Sequence, residues 1–270
     1  MSGVFITGAG TDVGKTFVAA GLVQALRRAG REVFALKPVV SGFDPAAAAD
    51  SDPGVLLAAL GRAVTPESVM EIAPWRFRAP LSPDMAARLE GRTVDVDAVI
   101  GFCRERIAAT EGVVVIEGVG GVMVPLDDRR TVLDWITALD LPTVLVSGSY
   151  LGAISHTLSA LDVLVRRDVA VVALVVSESP GSSVPLADTV ATIARFAALV
   201  TGLRWGGDDA VFDRLVGRQG WGSAPNPAKG NPLGTHHLRD GGLGPHAPAG
   251  SRGRAPGLAS SPGTKPLAWR

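Results

Sequence analysis

An α/β fold, a doubly wound and mostly parallel sheet with helices on both faces, is predicted by three observations. Short β-branched runs recur up to about residue 205. The longer segments between them carry apolar residues at helical spacing. The runs are also apolar almost throughout, as strands covered on both sides must be, and βα alternation favours parallel pairing.

The first strand is VFIT at 4–7, followed by a glycine-rich turn and a helix whose apolar face includes Ala19, Leu22, Val23 and Leu26. Further strands are EVFALK at 32–37, VVVIEG at 113–118, TVLVS at 143–147 and VAVVALVV at 169–176. Leu158, Leu161 and Val165 mark a helix before the last of them. Ligands of such sheets sit at the carboxyl ends of the strands, so the residues just after each run are the candidates for function.

Composition narrows the classes. The chain has 270 residues, 47% hydrophobic and 19% charged, with a mean hydropathy of +0.28 and zero formal net charge. Nothing in that balance points to nucleic acid or an anionic membrane as a partner. The apolar runs are too short to cross a bilayer, and no secretory signal is visible. Cys103 is the single cysteine, expected as a small buried apolar residue in a reducing, cytoplasmic setting. Residues 206–270 hold 14 of the 33 glycines and 8 of the 19 prolines, with little periodicity. A folded domain over 1–205 and a disordered Gly/Pro-rich tail over 206–270 are therefore expected. His236, His237 and His246 lie in that tail without acidic or thiol residues at useful spacing, so no metal site is assigned to them.

Residues 8–16 read GAGTDVGKT, a phosphate-binding loop of the G-x-x-x-x-G-K-[ST] kind with five residues between Gly8 and Gly14 instead of four. Its backbone N–H groups and the helix dipole suit phosphate oxygens. Lys15 would bridge phosphates and the Thr16 hydroxyl would reach Mg²⁺. Lys37 follows the second strand in LKPVVSG, aimed at the same crevice, and Ser41 continues that turn. Asp52 precedes Pro53 and an apolar helical run, where it reads as a metal-facing carboxylate or a helix cap, with Asp50 as competitor. Glu117 ends an otherwise apolar strand and is followed by three glycines in four residues. A buried strand has no packing use for a carboxylate, which needs a cation such as Mg²⁺ beside it.

In combination these motifs resemble the dethiobiotin synthetase family. GAGTDVGKT is similar to that family's five-residue loop G-T-D-T-x-V-G-K-T, and KPVVSG to its K-P-V-x-S-G. SDPGVLLAAL resembles S-D-x-x-x-L, which selects Asp52 over Asp50. RAPLSPDMAA at 78–87, EGVGGVMVPL at 117–126 and YLGAISHTLSAL at 150–161 match three further family segments in order. This chain has Ala9-Gly10 where Thr-Asp is usual, Asp84 for a frequent histidine, Ser155 for an asparagine, and no recognisable closing strand after Phe196.

The resemblance implies a cytoplasmic homodimeric ligase that uses ATP, Mg²⁺ and CO₂ to close the ureido ring of dethiobiotin from 7,8-diaminononanoate. It implies catalytic roles for Lys15, Lys37 and Thr11. Nucleotide would be held by Asp12, Val13, Gly14, Lys15, Thr16, Phe17, Glu117, Gly118 and Gly120, with Ser177 near the place of the residue that reads adenine. Thr16, Asp52 and Glu117 would hold Mg²⁺. Thr11, Ser41 and the helix start Gly152, Ala153, Ile154 and Ser155 would bind the diamine substrate.

Two rivals are weaker. A cobyrinate-type amide-forming ligase would need a nucleophilic cysteine, which Cys103 in FCRERI does not resemble. A ParA/MinD-like ATPase switch would need an extra lysine early in the loop and basic or amphipathic surfaces, whereas residues 1–205 carry 18 Lys/Arg against 22 Asp/Glu.

Overall fold

The computed structural model describes residues 2–204, 206, 207 and 209–218. In chain order it holds β1 (Ser2–Gly8), α1 (Lys15–Arg28), β2 (Val33–Leu36), β3 (Val39–Val40), α2 (Asp52–Ala59), α3 (Pro66–Ile72), β4 (Trp75–Arg76), α4 (Pro83–Leu89) and α5 (Val96–Ala109). There follow β5 (Val113–Glu117), α6 (Val132–Leu139), β6 (Thr143–Gly148), α7 (Ala153–Arg166), β7 (Val171–Ser177), α8 (Leu186–Ile193), β8 (Val200–Leu203) and α9 (Asp209–Arg218).

The main sheet runs β2-β5-β1-β6-β7-β8, and every neighbouring pair in it is parallel. The central strands are apolar for the expected reason. Val113 to Ile116 and Val4 to Ile6 are all fully buried, with Trp135 of α6 set edge-on against Phe5 at 5.0 Å. The chain leaves β1 towards β2 through α1 but leaves β6 towards β7 through α7, in the opposite direction. Right-handed crossovers therefore place those helices on opposite faces, and the switch point falls at the carboxyl end of β1. A two-stranded parallel sheet, β3 with β4, carries the chain from Lys37 around the crevice. Among the described residues no helix is long and apolar enough to cross a membrane.

Two expectations about the far end of the chain need correction. A closing strand does exist: β8 pairs with β7 over Leu174↔Val200 to Ser177↔Leu203. It was not legible because it is four residues long and includes Gly202. The expected boundary at 205 also falls short, because 209–218 form helix α9. Its Phe212, Val211 and Leu215 are buried, and Arg28 of α1 pairs with Asp209 at 3.3 Å and Asp213 at 3.0 Å. The rest of the expected tail, with its three histidines, lies outside the described residues.

The α1–α9 contact depends on one glycine. A methyl group built on Gly21 would run into the ring of Phe212, which also meets Phe17 edge-on at 6.2 Å. Gly21→Ala is expected to cost about 1–3 kcal/mol by overpacking, and pairing it with Phe212→Leu should recover part of that loss. Urea unfolding of the three proteins checks this. Cys103 on α5 is fully buried as expected, and burial pushes its thiol up to about 12. It should therefore resist iodoacetamide in the native protein and react once the chain is unfolded, which mass spectrometry reads directly.

Candidate active site

The loop from Ala9 to Val13 carries the chain from the end of β1 to α1. Gly14 caps α1 in the left-handed region at φ 92°, which glycine adopts without strain, and no side chain caps the helix. The first-turn N–H groups are thus left for a ligand. Lys15 folds back and donates from Nζ to the Gly10 carbonyl at 2.8 Å. Burial, and next the like charge of Lys37, push the Lys15 ammonium down to about 8.

Behind Lys15 sits a cluster drawn from four elements. Lys37, just past β2, is buried, and its Nζ reaches Glu117 Oε1 at 2.5 Å, Asp52 Oδ2 at 2.8 Å and the Gly118 carbonyl at 2.9 Å. Burial alone would depress its pKa, but Glu117 and Asp52 outweigh that and hold it above its usual value. Glu117, the last residue of β5, is fully buried, which pushes its carboxyl up against the pull of Lys37. Asp52 is also opposed by burial, yet Lys37 and hydrogen bonds from Lys37 and Thr16 bring it below the ordinary carboxylate range.

Local sequence explains how Asp52 arrives there. Ser51 is the helix cap, accepting from the Gly54 N–H at 3.3 Å, so the carboxylate of Asp52 is released from capping. Pro53 fits the first turn, and only glycine fits at 54, where a methyl would strike the Ala48 carbonyl. Asp50 lies nearby, exposed, at the end of a 3-10 turn over Pro45–Asp50, and lines the same cavity as Asp52.

The Thr16 hydroxyl lies 2.8 Å from both Asp52 Oδ1 and Glu117 Oε1. One hydroxyl proton cannot serve two acceptors at once. Oxygens bound to neighbouring positions of an Mg²⁺ octahedron stand about 3.0 Å apart, given bonds of about 2.1 Å, and both Thr16 distances are close to that. The second Glu117 oxygen, Oε2, is buried and has no hydrogen-bond partner among the described residues. A small divalent cation would satisfy both features. Among the described residues no group of three or more His, Cys, Asp or Glu could hold a metal, and the acidic side chains here number two, Asp52 and Glu117.

These groups open onto a cavity of about 700 Å³ whose lining includes Thr11, Asp12, Gly14, Lys15, Thr16, Phe17, Lys37, Ser41, Asp52, Glu117 and Gly120. The Ser41 hydroxyl is buried and has no partner among the described residues. Val13 points into the core, leaving only its backbone for a ligand. Gly118 contributes its carbonyl to Lys37, and a side chain there would meet the Phe5 ring. Pro80, Leu81, Ser82, Pro83, Val119 and Val124 also line the cavity. Sequence reasoning did not assign them, although the matching segment at 78–87 was a signal for the first four.

Two groups of expected residues stand elsewhere. Ser177 ends β7, buried, with its hydroxyl, unpartnered among the described residues, 2.7 Å from where a Gly14 methyl would be, so it faces the loop from outside that cavity. Beside it a concavity of about 410 Å³ is lined by Ser149 and Glu178–Leu186, in the run ESPGSSVP that follows Ser177 and was not assigned. Gly152, Ala153, Ile154 and Ser155 form the start of α7, capped by Gly152 at φ 100° with no side-chain cap, and none of them lines the 700 Å³ cavity.

A protein-family profile described as an AAA domain matches residues 2–201, ending within β8. The chain is 50% identical over 205 residues to the ATP-dependent dethiobiotin synthetase of Methylobacterium nodulans, covering 74% of this chain and 91% of that relative. It is 53% identical over 180 residues to the enzyme of the same name from Caulobacter vibrioides, with 66% and 81% covered. To that of Acidiphilium cryptum it is 47% identical over 196 residues, with 72% and 88% covered.

Proposed function

This chain belongs to the ATP-dependent dethiobiotin synthetase family, and from that premise we propose that it closes the ureido ring of dethiobiotin from 7,8-diaminononanoate, CO₂ and ATP. The observation that carries the reading is the cluster of buried Lys37 and Glu117 with half-buried Asp52 and Thr16 under a phosphate-binding loop.

In the proposed sequence, one substrate amine adds to CO₂ and loses a proton, giving a carbamate. A carbamate oxygen takes the γ-phosphoryl group of ATP, releasing ADP. The second amine attacks the resulting carbonyl carbon, phosphate leaves with the C–O bond electrons, and the ring closes as the attacking nitrogen gives up a proton to the departing phosphate or to solvent. Negative charge gathers on carbamate and phosphoryl oxygens, so the site has to supply cations and N–H donors more than a strong base. Lys15 and the N–H groups of Asp12 to Phe17 hold the phosphates. Lys37 stands where it can stabilise the carbamate, and Thr11 and the unpartnered Ser41 hydroxyl hydrogen-bond carbamate and diamine.

Thr16, Asp52 and Glu117 would hold Mg²⁺, which when bound neutralises phosphate charge. Ser177 and the neighbouring concavity are assigned to the base side of ATP. Since Gly152–Ser155 do not line the cavity of their own chain, the uncapped start of α7 is assigned to the substrate carboxylate of a second subunit in a homodimer. The setting is taken to be the cytoplasm.

Purified full-length protein given diaminononanoate, bicarbonate, Mg²⁺ and ATP should release ADP and yield dethiobiotin by mass spectrometry, with product requiring all four. ADP release without dethiobiotin would overturn the substrate assignment.

A further inference from the structure

A second cavity, of about 480 Å³, lies outside the reaction site. Phe43, Val64, Val69 and Phe77 give it apolar walls. Its charges do not balance: three guanidinium groups, Arg76, Arg78 and Arg92, line it against the single carboxylate of Glu90.

That carboxylate is engaged. Glu90 accepts from the Arg78 backbone N–H at 2.7 Å and pairs with Arg92 at 3.1 Å. Arg92 lies over the Phe77 ring at 4.7 Å, and Arg76 over Phe43 at 5.4 Å, so both cations rest against aromatic rings. Arg76 donates to the Ala73 carbonyl and, at 3.6 Å, to the Met70 sulfur. Among the described residues no carboxylate pairs with it. A half-buried guanidinium with a neutral carbonyl and a thioether for company keeps an open claim on an anion.

We propose that this cavity binds an aliphatic carboxylate, its head group on Arg76 and its chain along Phe43, Val64, Val69 and Phe77. Apolar walls with one convergent charged group describe small-molecule sites in general. The walls also disfavour a strongly hydrated phosphate, which would gain nothing from them. The floor is tied to the reaction cavity. Phe43 donates from its N–H to the Phe77 carbonyl at 2.9 Å, and Gly42, which lines the reaction cavity, donates to the Ala79 carbonyl at 3.0 Å.

Octanoate titrated into the full-length protein by calorimetry tests this, with octanol and octylamine as controls. Octanoate should bind, and the two controls should bind at least about ten-fold more weakly. Arg76→Gln should weaken octanoate by about ten-fold or more, and Arg76→Lys, which keeps charge without the fork, by less. Val64→Phe fills the cavity without touching a guanidinium and should block binding if Arg76→Gln fails to fold. Lys15→Ala, in the other cavity, should leave octanoate affinity unchanged. No binding up to about 10 mM, octanol binding as tightly as octanoate, or affinity lost in Lys15→Ala but kept in Arg76→Gln would each overturn the assignment.

Discussion

Lys15→Ala is expected to lower ATP-dependent turnover by at least about a thousand-fold, the scale seen when a preorganised charge facing a developing anion is removed. Its Nζ is held at the Gly10 carbonyl, inside the loop, and among the described residues no carboxylate is hydrogen-bonded to it. The folded protein therefore tolerates this ammonium without benefiting from it. Burial and Lys37 lower its pKa from 10.5 to about 8, so the unfolded chain binds more protons between those values. Stability of the nucleotide-free protein should then rise with pH from about 8 towards 10.5 as Lys15 sheds its proton, and that rise should be missing in Lys15→Ala. Paired urea unfolding at about pH 7 and about pH 9.5, together with an ADP-release assay, reads both effects. Turnover near the wild-type rate in this variant would remove the phosphate-binding role of the loop.

Lys37→Met is expected to injure the fold as well as the reaction. It leaves Glu117 buried without its cation, for which about 3–5 kcal/mol of destabilisation is typical, and takes from half-exposed Asp52 its ion-pair partner. The remaining charge strain should drive Glu117 to take up a proton. Lys37→Met with Glu117→Gln should therefore be more stable than Lys37→Met alone, while staying inactive. Denaturant midpoints of wild type, both single variants and the double variant close that cycle. A loss below about 1 kcal/mol in Lys37→Met would mean the cluster does not depend on this lysine for charge balance.

The parts legible in the sequence were those with a local cause. Apolar runs such as VVVIE announce a strand covered on both faces, and a charged residue at the end of one announces a demand for a partner. The partner's identity was less accessible. Glu117 was read as a metal ligand, whereas in the protein alone it is Lys37 that answers it, across 80 residues of sequence. Asp52 looked equally like a cap until Ser51 was seen to take that role. β8 and α9 escaped notice because a four-residue edge strand has almost no period, and α9 finds its partner in Gly21, nearly two hundred residues upstream. The 480 Å³ cavity had no sequence signal, since its arginines come together only when β4 and the segment after α4 meet.

The position of β1 has a consequence for how the protein is made. Its neighbours in the sheet are β5 and β6, through pairs such as Phe5↔Ile116 and Phe5↔Thr143. On the ribosome this strand emerges long before either of its neighbours has been translated. At about 5–20 residues per second, its two hydrogen-bonding edges and its apolar side chains wait on the order of ten seconds for company. The strand that bears the phosphate-binding loop is thus the one most exposed to chaperones and to wrong partners during synthesis.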